Sequence, residues 1–188
     1  MEAERMGSSA LYGEVGWMLH AYRGILPKLH PSVFAVDSAQ IIGDVTIGAD
    51  SSVWYNAVIR GDVNYIRIGE RTNIQDGCLL HVRHEQFPLI IASNVTLGHG
   101  AIAHACRIEE YCLIGMGAVI LDNALIRNYT LVAAGAVVRN NAEFPEGVLV
   151  GGVPAKVIRQ LTREERRSLE QSAENYVGYV KTYREQQV

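Results

Sequence analysis

Branched aliphatic residues recur at every sixth position through the second half of the chain. The longest unbroken series has seven members, Ile102, Ile108, Ile114, Ile120, Ile126, Val132 and Val138. A small residue follows four positions after each of the first six, at Cys106, Cys112, Ala118, Ala124, Thr130 and Ala136. A period of six fits neither an α-helix nor a simple strand, so it predicts a repeat architecture in which each hexapeptide supplies one short strand and one corner.

Three such hexapeptides close one triangular coil, with the aliphatic side chain inside and the small residue where the chain turns. Stacked coils pair as parallel strands about 4.8 Å apart. We therefore predict an all-β repeat fold, a left-handed parallel β-helix of hexapeptide repeats. The stretch from Val36 to Val150 is long enough for about six coils, which bury a continuous core.

The hexapeptide period is interrupted at three places. It slips at Asn64–Arg67, and the step from Leu97 to Ile102 is five residues instead of six. Between these two slips, the polar stretch Arg83–Pro88 lacks the period, which predicts a loop that leaves the β-helix at one corner.

The C-terminal region changes to a helical pattern. Thr162 and Glu165 have the spacing of a capping box, which predicts a helix start. The apolar stripe that we expect to pack along the β-helix consists of Leu169, Ala173, Tyr176, Val177 and Val180. We predict three parts: an N-terminal extension at 1–17 that is either disordered or left over from recombinant expression, a left-handed β-helix domain at 18–161, and a C-terminal helix at 162–188.

The composition narrows the classes of partner. The chain of 188 residues carries a net charge of -3, which gives no reason to expect nucleic acid or an anionic membrane as a partner. No apolar run is long enough to span a bilayer and no signal-peptide pattern is present, so we expect a cytoplasmic protein. Cys78, Cys106 and Cys112 form no CxxC pair, and we expect them to fill the core as free thiols.

Three histidines near the interruptions are candidate metal ligands, and none stands at an inward position. His99 and His104 each follow their inward aliphatic residue by two, so we expect them at equivalent places on consecutive strands. Consecutive faces of a triangular prism point apart, so one chain cannot bring both imidazoles to one ion. His81 precedes His104 by 23 residues, one coil of 18 plus a loop of five, so these two can lie one above the other.

The third ligand must then come from another subunit. A homotrimer would contain three equivalent sites, each built from His81 and His104 of one chain and His99 of its neighbour. Three neutral imidazoles and an open position suit a catalytic Zn²⁺, and Fe²⁺ or Co²⁺ would also accept them. The alternative interpretation is that all three histidines face solvent and hold no metal.

Polar residues are dense around these histidines: Arg60, Asp62, Asn73, Gln75 and Asp76. Asn73 and Gln75 flank an inward isoleucine, so both amides face outward, where they could hold a metal-bound hydroxide or a small planar substrate. Arg60 and Asp76 could pair across a subunit interface. Alternatively, all five are ordinary polar residues of an interface.

Several motifs make the sequence resemble the γ-class carbonic anhydrases and their bacterial relatives, from about Met18 to the C-terminus. These motifs are Val58–Asp62, Asn73–Gly77, Leu80–His81, Leu97–His104 and Ile114–Gly117. The resemblance implies a left-handed β-helix trimer with metal at its interfaces.

The same resemblance implies a role for each candidate site residue. The histidines match the metal ligands of the family, at His81, His99 and His104. The polar residues match those that line its site, at Arg60, Asp62, Asn73, Gln75 and Asp76. Tyr176 resembles a tyrosine of the C-terminal helix that reaches the site in some members.

The sequence departs from the family pattern where protons leave the site. The best-known member has a glutamate directly after its Arg-x-Asp, and a second glutamate on an acidic loop passes protons to solvent. Here Val63 takes the first place, and the short loop offers only His84 and Glu85. His84 is our candidate for proton export, because histidine is the side chain best suited to exchange protons near neutral pH.

The leading functional hypothesis is reversible hydration of carbon dioxide to bicarbonate. A metal-bound hydroxide attacks the carbon, Asn73 and Gln75 orient the reactants, and a loop residue exports the proton. The second hypothesis is a hexapeptide-repeat acyltransferase or thioesterase, because such acyltransferases share the prism and an exit segment like Gly152–Lys156, although one catalytic histidine would suffice for them. The third is a catalytically weak scaffold or assembly subunit that retains the metal site.

Overall fold

The computed structural model describes residues 18–186, which form a parallel β-helix followed by one α-helix. The predicted left-handed β-helix with a C-terminal helix is confirmed. The elements are β1 (Leu19–His20), β2 (Lys28–Leu29), β3 (Phe34–Ala35), β4 (Gln40–Ile47), β5 (Ser52–Val53), β6 (Val58–Ile68), β7 (Asn73–Ile74), β8 (Leu79–His81), β9 (Leu89–Ile91), β10 (Thr96–Leu97), β11 (Ile102–His104), β12 (Arg107–Ile108), β13 (Leu113–Ile114), β14 (Val119–Ile120), β15 (Leu125–Ile126), β16 (Leu131–Val132), β17 (Val137–Val138), β18 (Val148–Gly152), β19 (Ala155–Gln160) and α1 (Arg163–Gln186). The extension predicted at 1–17 lies outside the described residues.

The strands stack into three faces of a prism. Face 1 contains β1, the first halves of β4 and β6, and then β8, β11, β14 and β17. Face 2 contains β2, the second halves of β4 and β6, and then β9, β12 and β15. Face 3 contains β3, β5, β7, β10, β13, β16 and β18. These strands pair in parallel from coil to coil, whereas β19 pairs antiparallel with β18 at the end of face 3.

Strands β4 and β6 bend from face 1 into face 2 without a break, and glycines permit the bend. The register between the two strands shifts just after Gly43, which confirms the slip predicted at Asn64–Arg67. A Cβ atom on Gly43, whose φ is 76°, would lie 2.3 Å from the carbonyl oxygen of Gly61. Only glycine fits at this position, because the two backbones touch.

The interior is filled by the aliphatic series, with one correction. Six members are fully buried, namely Ile108, Ile114, Ile120, Ile126, Val132 and Val138. Ile102 is only partly buried, and Ala103 takes the inward position opposite Leu80 and Ile120. The five-residue step predicted from Leu97 to Ile102 is therefore wrong. The short step runs from Ala103 to Ile108, because the chain turns tightly at Ala105, whose φ is 48°.

This correction changes the place of His104. His104 directly follows inward Ala103, as His81 directly follows its own inward leucine, and the two histidines pair in register. His99, in contrast, stands two residues beyond inward Leu97, in the turn after β10. The expectation that His99 and His104 hold equivalent places on their strands is therefore wrong.

The helix begins and packs as its sequence predicts. The Thr162 N–H donates to Glu165 Oε2 at 2.8 Å, and the Glu165 N–H donates to Thr162 Oγ1 at 3.1 Å, which completes the capping box. Leu169, Ala173 and Val180 are buried where α1 lies on face 3. Among residues 18–186, no helix has both the length and the apolar character needed to cross a membrane. The cytoplasmic location stays a prediction.

The three cysteines are buried and unbridged, as expected. Burial raises the pKa of Cys78 and of Cys112 to about 12, and it also raises the pKa of Cys106. Thiols with such a high pKa are protonated at neutral pH, so they act as small apolar residues of the core.

Candidate metal centre

His81 and His104 stand next to each other on face 1, on the paired strands β8 and β11. Their ring centroids are 5.2 Å apart, and His81 Nδ1 lies 3.2 Å from His104 Nε2. Two bonds of about 2.0–2.1 Å at a tetrahedral angle place two ligand nitrogens about 3.3 Å apart. The spacing of these two nitrogens therefore fits two ligands of one tetrahedral ion.

The far nitrogen of each ring is bound to a carboxylate. His81 Nε2 lies 3.0 Å from Asp62 Oδ1, and His104 Nδ1 lies 2.5 Å from Asp122 Oδ1. A neutral imidazole has one N–H, and a carboxylate accepts it, so the nitrogens that face each other are left with lone pairs. Two lone pairs that point at one place are what a cation needs from its ligands.

Each of these carboxylates also pairs with an arginine. Arg60 Nη1 contacts Asp62 Oδ2, and Arg83 Nη1 lies 2.9 Å from Asp122 Oδ2. Burial opposes ionisation of Asp62 and Asp122, but the bonds to histidine and arginine outweigh it and hold the pKa of each carboxyl below its usual value. Burial lowers the pKa of His81, although the hydrogen bond to Asp62 acts in the opposite direction. The lowered pKa favours the neutral ring that a metal ligand requires.

His99 occupies a different environment, at the corner between faces 3 and 1. Its Nδ1 lies 2.7 Å from Asp76 Oδ2, and its backbone N–H donates to Gln75 Oε1 at 3.2 Å. The side chain is 51% exposed, so its Nε2 is available to a group outside the chain. No group of three or more His, Cys, Asp or Glu side chains within residues 18–186 is arranged to hold a metal in a single chain.

Asn73 and Gln75 form part of the support for that corner. Both are buried on face 3, the face on which α1 packs. Gln75 Nε2 donates to Asn73 Oδ1 at 3.1 Å, and Asn73 Nδ2 donates to Thr96 Oγ1 at 2.9 Å. The Thr96 hydroxyl lies 3.0 Å from that of Ser172 on the helix. This chain of hydrogen bonds connects the helix to the backbone of His99 through the two amides.

A cleft of about 300 Å³ opens beside this network. Gln75, Thr96 and Ser172 contribute its polar atoms, and most of the remaining lining is apolar. A small uncharged molecule could enter there next to the Gln75 amide.

Tyr176 and His84 lie at the margins of the site. Tyr176 packs edge-on against Trp54, with ring centroids 5.6 Å apart. Burial, and then the nearby charge of Asp76, raise the pKa of Tyr176 to about 12, so its hydroxyl is neutral and can only donate or accept hydrogen bonds. His84 lies on the loop between β8 and β9 and is 68% exposed. Within one chain Arg60 binds Asp62 and Asp76 binds His99, so the expected Arg60–Asp76 pair between subunits stays a prediction.

Sequence reasoning missed Asp122 and the role of Arg83. Asp122 stands 18 residues after His104, which is one full coil, so the period places it on the coil next to this histidine. This spacing of 18 residues was visible in the sequence. Polar residues are common at the corners, however, and only the contact with His104 distinguishes Asp122 from the others.

The sequence is similar to those of several known proteins. Residues 105–140 match the family model described as Bacterial transferase hexapeptide (six repeats). The chain is 55% identical over 144 residues to a probable carbonic anhydrase of Methanocaldococcus jannaschii, which covers 77% of this chain and 90% of that protein. It is 43% identical over 157 residues to Gamma carbonic anhydrase 2, mitochondrial, of Arabidopsis thaliana.

The aligned region covers most of the Methanocaldococcus jannaschii protein but a smaller part of the plant protein. The match spans 81% of this chain but 56% of the plant protein, so this chain corresponds to little more than half of that relative. Among solved structures, a putative acetyltransferase from Bacillus cereus superposes with a TM-score of 0.86 at 44% identity, over 88% of this chain and 96% of that one.

Proposed function

Because this chain belongs to the γ-class carbonic anhydrase family, we propose that it catalyses the reversible hydration of carbon dioxide to bicarbonate at metal sites between the subunits of a homotrimer. The observation that carries the proposal is the His81–His104 pair, whose facing nitrogens are 3.2 Å apart while carboxylates hold their far nitrogens. Such an arrangement has a clear use when a cation lies between the rings.

We assign the metal to His81 and His104 of one chain and His99 of its neighbour. All three rings have one nitrogen against a carboxylate, which is the usual support of a metal-binding histidine. Neutral imidazoles suit Zn²⁺, and Fe²⁺ or Co²⁺ would also be accepted. A bound ion of this kind supplies Lewis acidity, which makes a water molecule nucleophilic near neutral pH.

An apolar column on face 1 supports the trimer. It runs directly beside the histidines and consists of Val58, Leu79, Ile102, Val119 and Val137. Leu79 is 46% exposed in the single chain, although it lies within the column between Val58 and Ile102. A contiguous aliphatic column on a face that also carries two of the three proposed metal ligands is typical of a subunit interface. The proposed Arg60–Asp76 pair would add a charge contact at its edge.

The chain's own residues then have separate tasks. Asp62, Asp122 and Asp76 orient the three rings, and Asn73 and Gln75 hold the corner that carries His99. The Gln75 amide borders the cleft, where it can orient a small uncharged substrate.

Proton export is assigned to His84. Its imidazole lies in solvent on the loop next to the site, and Val63 cannot carry a proton. His84 therefore accepts the proton and releases it to buffer. Tyr176 stays protonated and contributes a hydrogen-bonding hydroxyl near Asp76.

Metal analysis combined with a stopped-flow hydration assay tests this function. We expect one metal ion per chain and carbon dioxide hydration in the wild type. His99→Ala should lose both, whereas His30→Ala, which removes an exposed histidine bonded to Ser32, should lose neither. A metal-loaded wild-type trimer without hydration activity would refute the proposal and favour the scaffold hypothesis.

Acyl transfer is the second candidate, because the similar Bacillus cereus structure is described as a putative acetyltransferase and residues 105–140 match a transferase repeat. Three carboxylate-bound histidines are more than acyl transfer needs, which is why we rank it second. Binding of acetyl-coenzyme A by a metal-free trimer would reverse that order.

A further inference from the structure

We propose that Asp122 is a positioning residue that sets the tautomer of His104, and that Arg83 holds Asp122 in place from the 83–88 loop. The inference rests on the proposed role of His104 as a metal ligand. It assigns a purpose to two residues that lie beyond the histidines themselves and that sequence reasoning did not single out.

The contacts divide the two oxygens of one carboxylate between two partners. Asp122 Oδ1 lies 2.5 Å from His104 Nδ1, and Asp122 Oδ2 lies 2.9 Å from Arg83 Nη1. The Asp122 side chain is only 14% exposed, so water competes little for these bonds. Both bonds are long-range, spanning 18 and 39 residues of sequence.

The carboxylate decides which nitrogen of the ring carries the proton. With Asp122 as acceptor, neutral His104 is protonated at Nδ1 and its Nε2 presents a lone pair to His81 Nδ1. Without this acceptor, a proton on Nε2 would point at His81 Nδ1, 3.2 Å away, and would occupy the place of the cation. Asp122 therefore prepares the ring for metal before the metal arrives.

Arg83 connects this arrangement to the loop. Its backbone N–H donates to the Phe87 carbonyl at 3.0 Å, and its own carbonyl accepts from Asn64 Nδ2 at 3.2 Å. The loop is thus closed at its base while the guanidinium reaches across to Asp122. The same order of groups, arginine to aspartate to histidine, occurs at Arg60, Asp62 and His81, where all three lie close together on face 1.

The first test compares metal affinity across matched variants. Zinc affinity, measured by competition with a chromophoric chelator, should fall about 10- to 100-fold in Asp122→Ala and by a smaller factor in Arg83→Met. Arg127→Met is the control, because the Arg127 side chain is about as exposed as that of Arg83 and forms an ion pair with Glu143 at a different corner. It should bind zinc as the wild type does.

The second test reads the tautomer without metal. Long-range ¹H–¹⁵N NMR of the metal-free protein, above the pH at which imidazole titrates, should show His104 protonated at Nδ1 in the wild type. Asp122→Ala should gain the Nε2–H form, and Arg83→Met should show a mixture of both forms. A purely structural role for Asp122 would lower the melting temperature without moving this signal.

Two results would overturn the inference. One is a folded Asp122→Ala protein with wild-type zinc affinity and an unchanged Nδ1–H signal. The other, decisive even if Asp122→Ala does not fold, is an Arg83→Met protein that matches Arg127→Met in both measurements. Failure of the proposed function is separate, because a wild type that binds zinc but does not hydrate carbon dioxide leaves both tests intact.

Discussion

The two parts of the candidate metal centre differ in how much of it a single chain can build. His81 and His104 lie on paired strands of face 1, with their facing nitrogens at 3.2 Å. His99 lies at a corner with its side chain half exposed, its ring bound to Asp76 and its backbone N–H bound to Gln75. The strand pair is complete within the chain, whereas the corner histidine presents its free nitrogen to another molecule. This difference indicates that, if the metal is shared as we propose, metal binding depends on subunit assembly.

Breaking the assembly without touching any histidine should have the largest effect. We expect Leu79→Glu to place a charge within the apolar column, separate the trimer and abolish metal binding, because burial of one leucine is worth about 1.5–3 kcal/mol and a buried glutamate costs more. Light scattering and metal analysis on the same sample measure both outcomes. Val157→Glu is the control, since Val157 has nearly the same exposure, 45% against 46%, but lies on β19. A Leu79→Glu monomer that still binds one metal ion tightly would contradict the claim that metal binding depends on subunit assembly.

Weakening the corner alone should have an intermediate effect. Gln75→Ala removes the acceptor of the His99 N–H and the partner of Asn73, so the corner should move while the strand pair stays in place. We expect zinc affinity to fall about 10- to 100-fold, as for other residues that orient metal ligands. The His81 and His104 imidazole signals in NMR should not change. If they shift as much as those of His99, the two parts are not independent.

The smallest effect is expected at the loop. His84→Ala should lower turnover in dilute buffer by less than the roughly 100-fold typical of a positioned general acid or base, because small buffers can replace an exposed imidazole. Added imidazole should restore the rate. A loss of the same size at every buffer concentration would show that His84 acts other than by exporting protons.

The sequence predicted the fold better than it predicted which of two neighbouring apolar residues points inward. The six-residue period predicted the β-helix, the slip at Asn64–Arg67, the loop at Arg83–Pro88 and the stacking of His81 on His104, because side chains of this size repeat only where a narrow interior requires them. It could not decide between adjacent apolar residues, and so it placed Ile102 inside where the structure has Ala103. That choice depends on the tight turn at Ala105, which has no distinct sequence signal.

The six-residue period also could not predict the side-chain contacts of the candidate metal centre. Asp122 binds His104 from the next coil, and Asn73 and Gln75 bond to each other instead of standing free on their strand. Each of these contacts depends on side-chain positions of neighbouring coils, which the spacing limits but does not choose. The carboxylate behind each histidine is therefore a finding of the structure.

Subunit complementation tests the central claim most directly. Chains with His99→Ala and chains with His81→Ala are expected to form trimers that bind no metal when each is prepared alone. In trimers that contain both chains, one interface joins an intact His99 to an intact His81–His104 pair, so we predict about one metal ion and restored hydration activity per mixed trimer. Mixed trimers without metal, while wild-type trimers bind it, would contradict a site shared between chains.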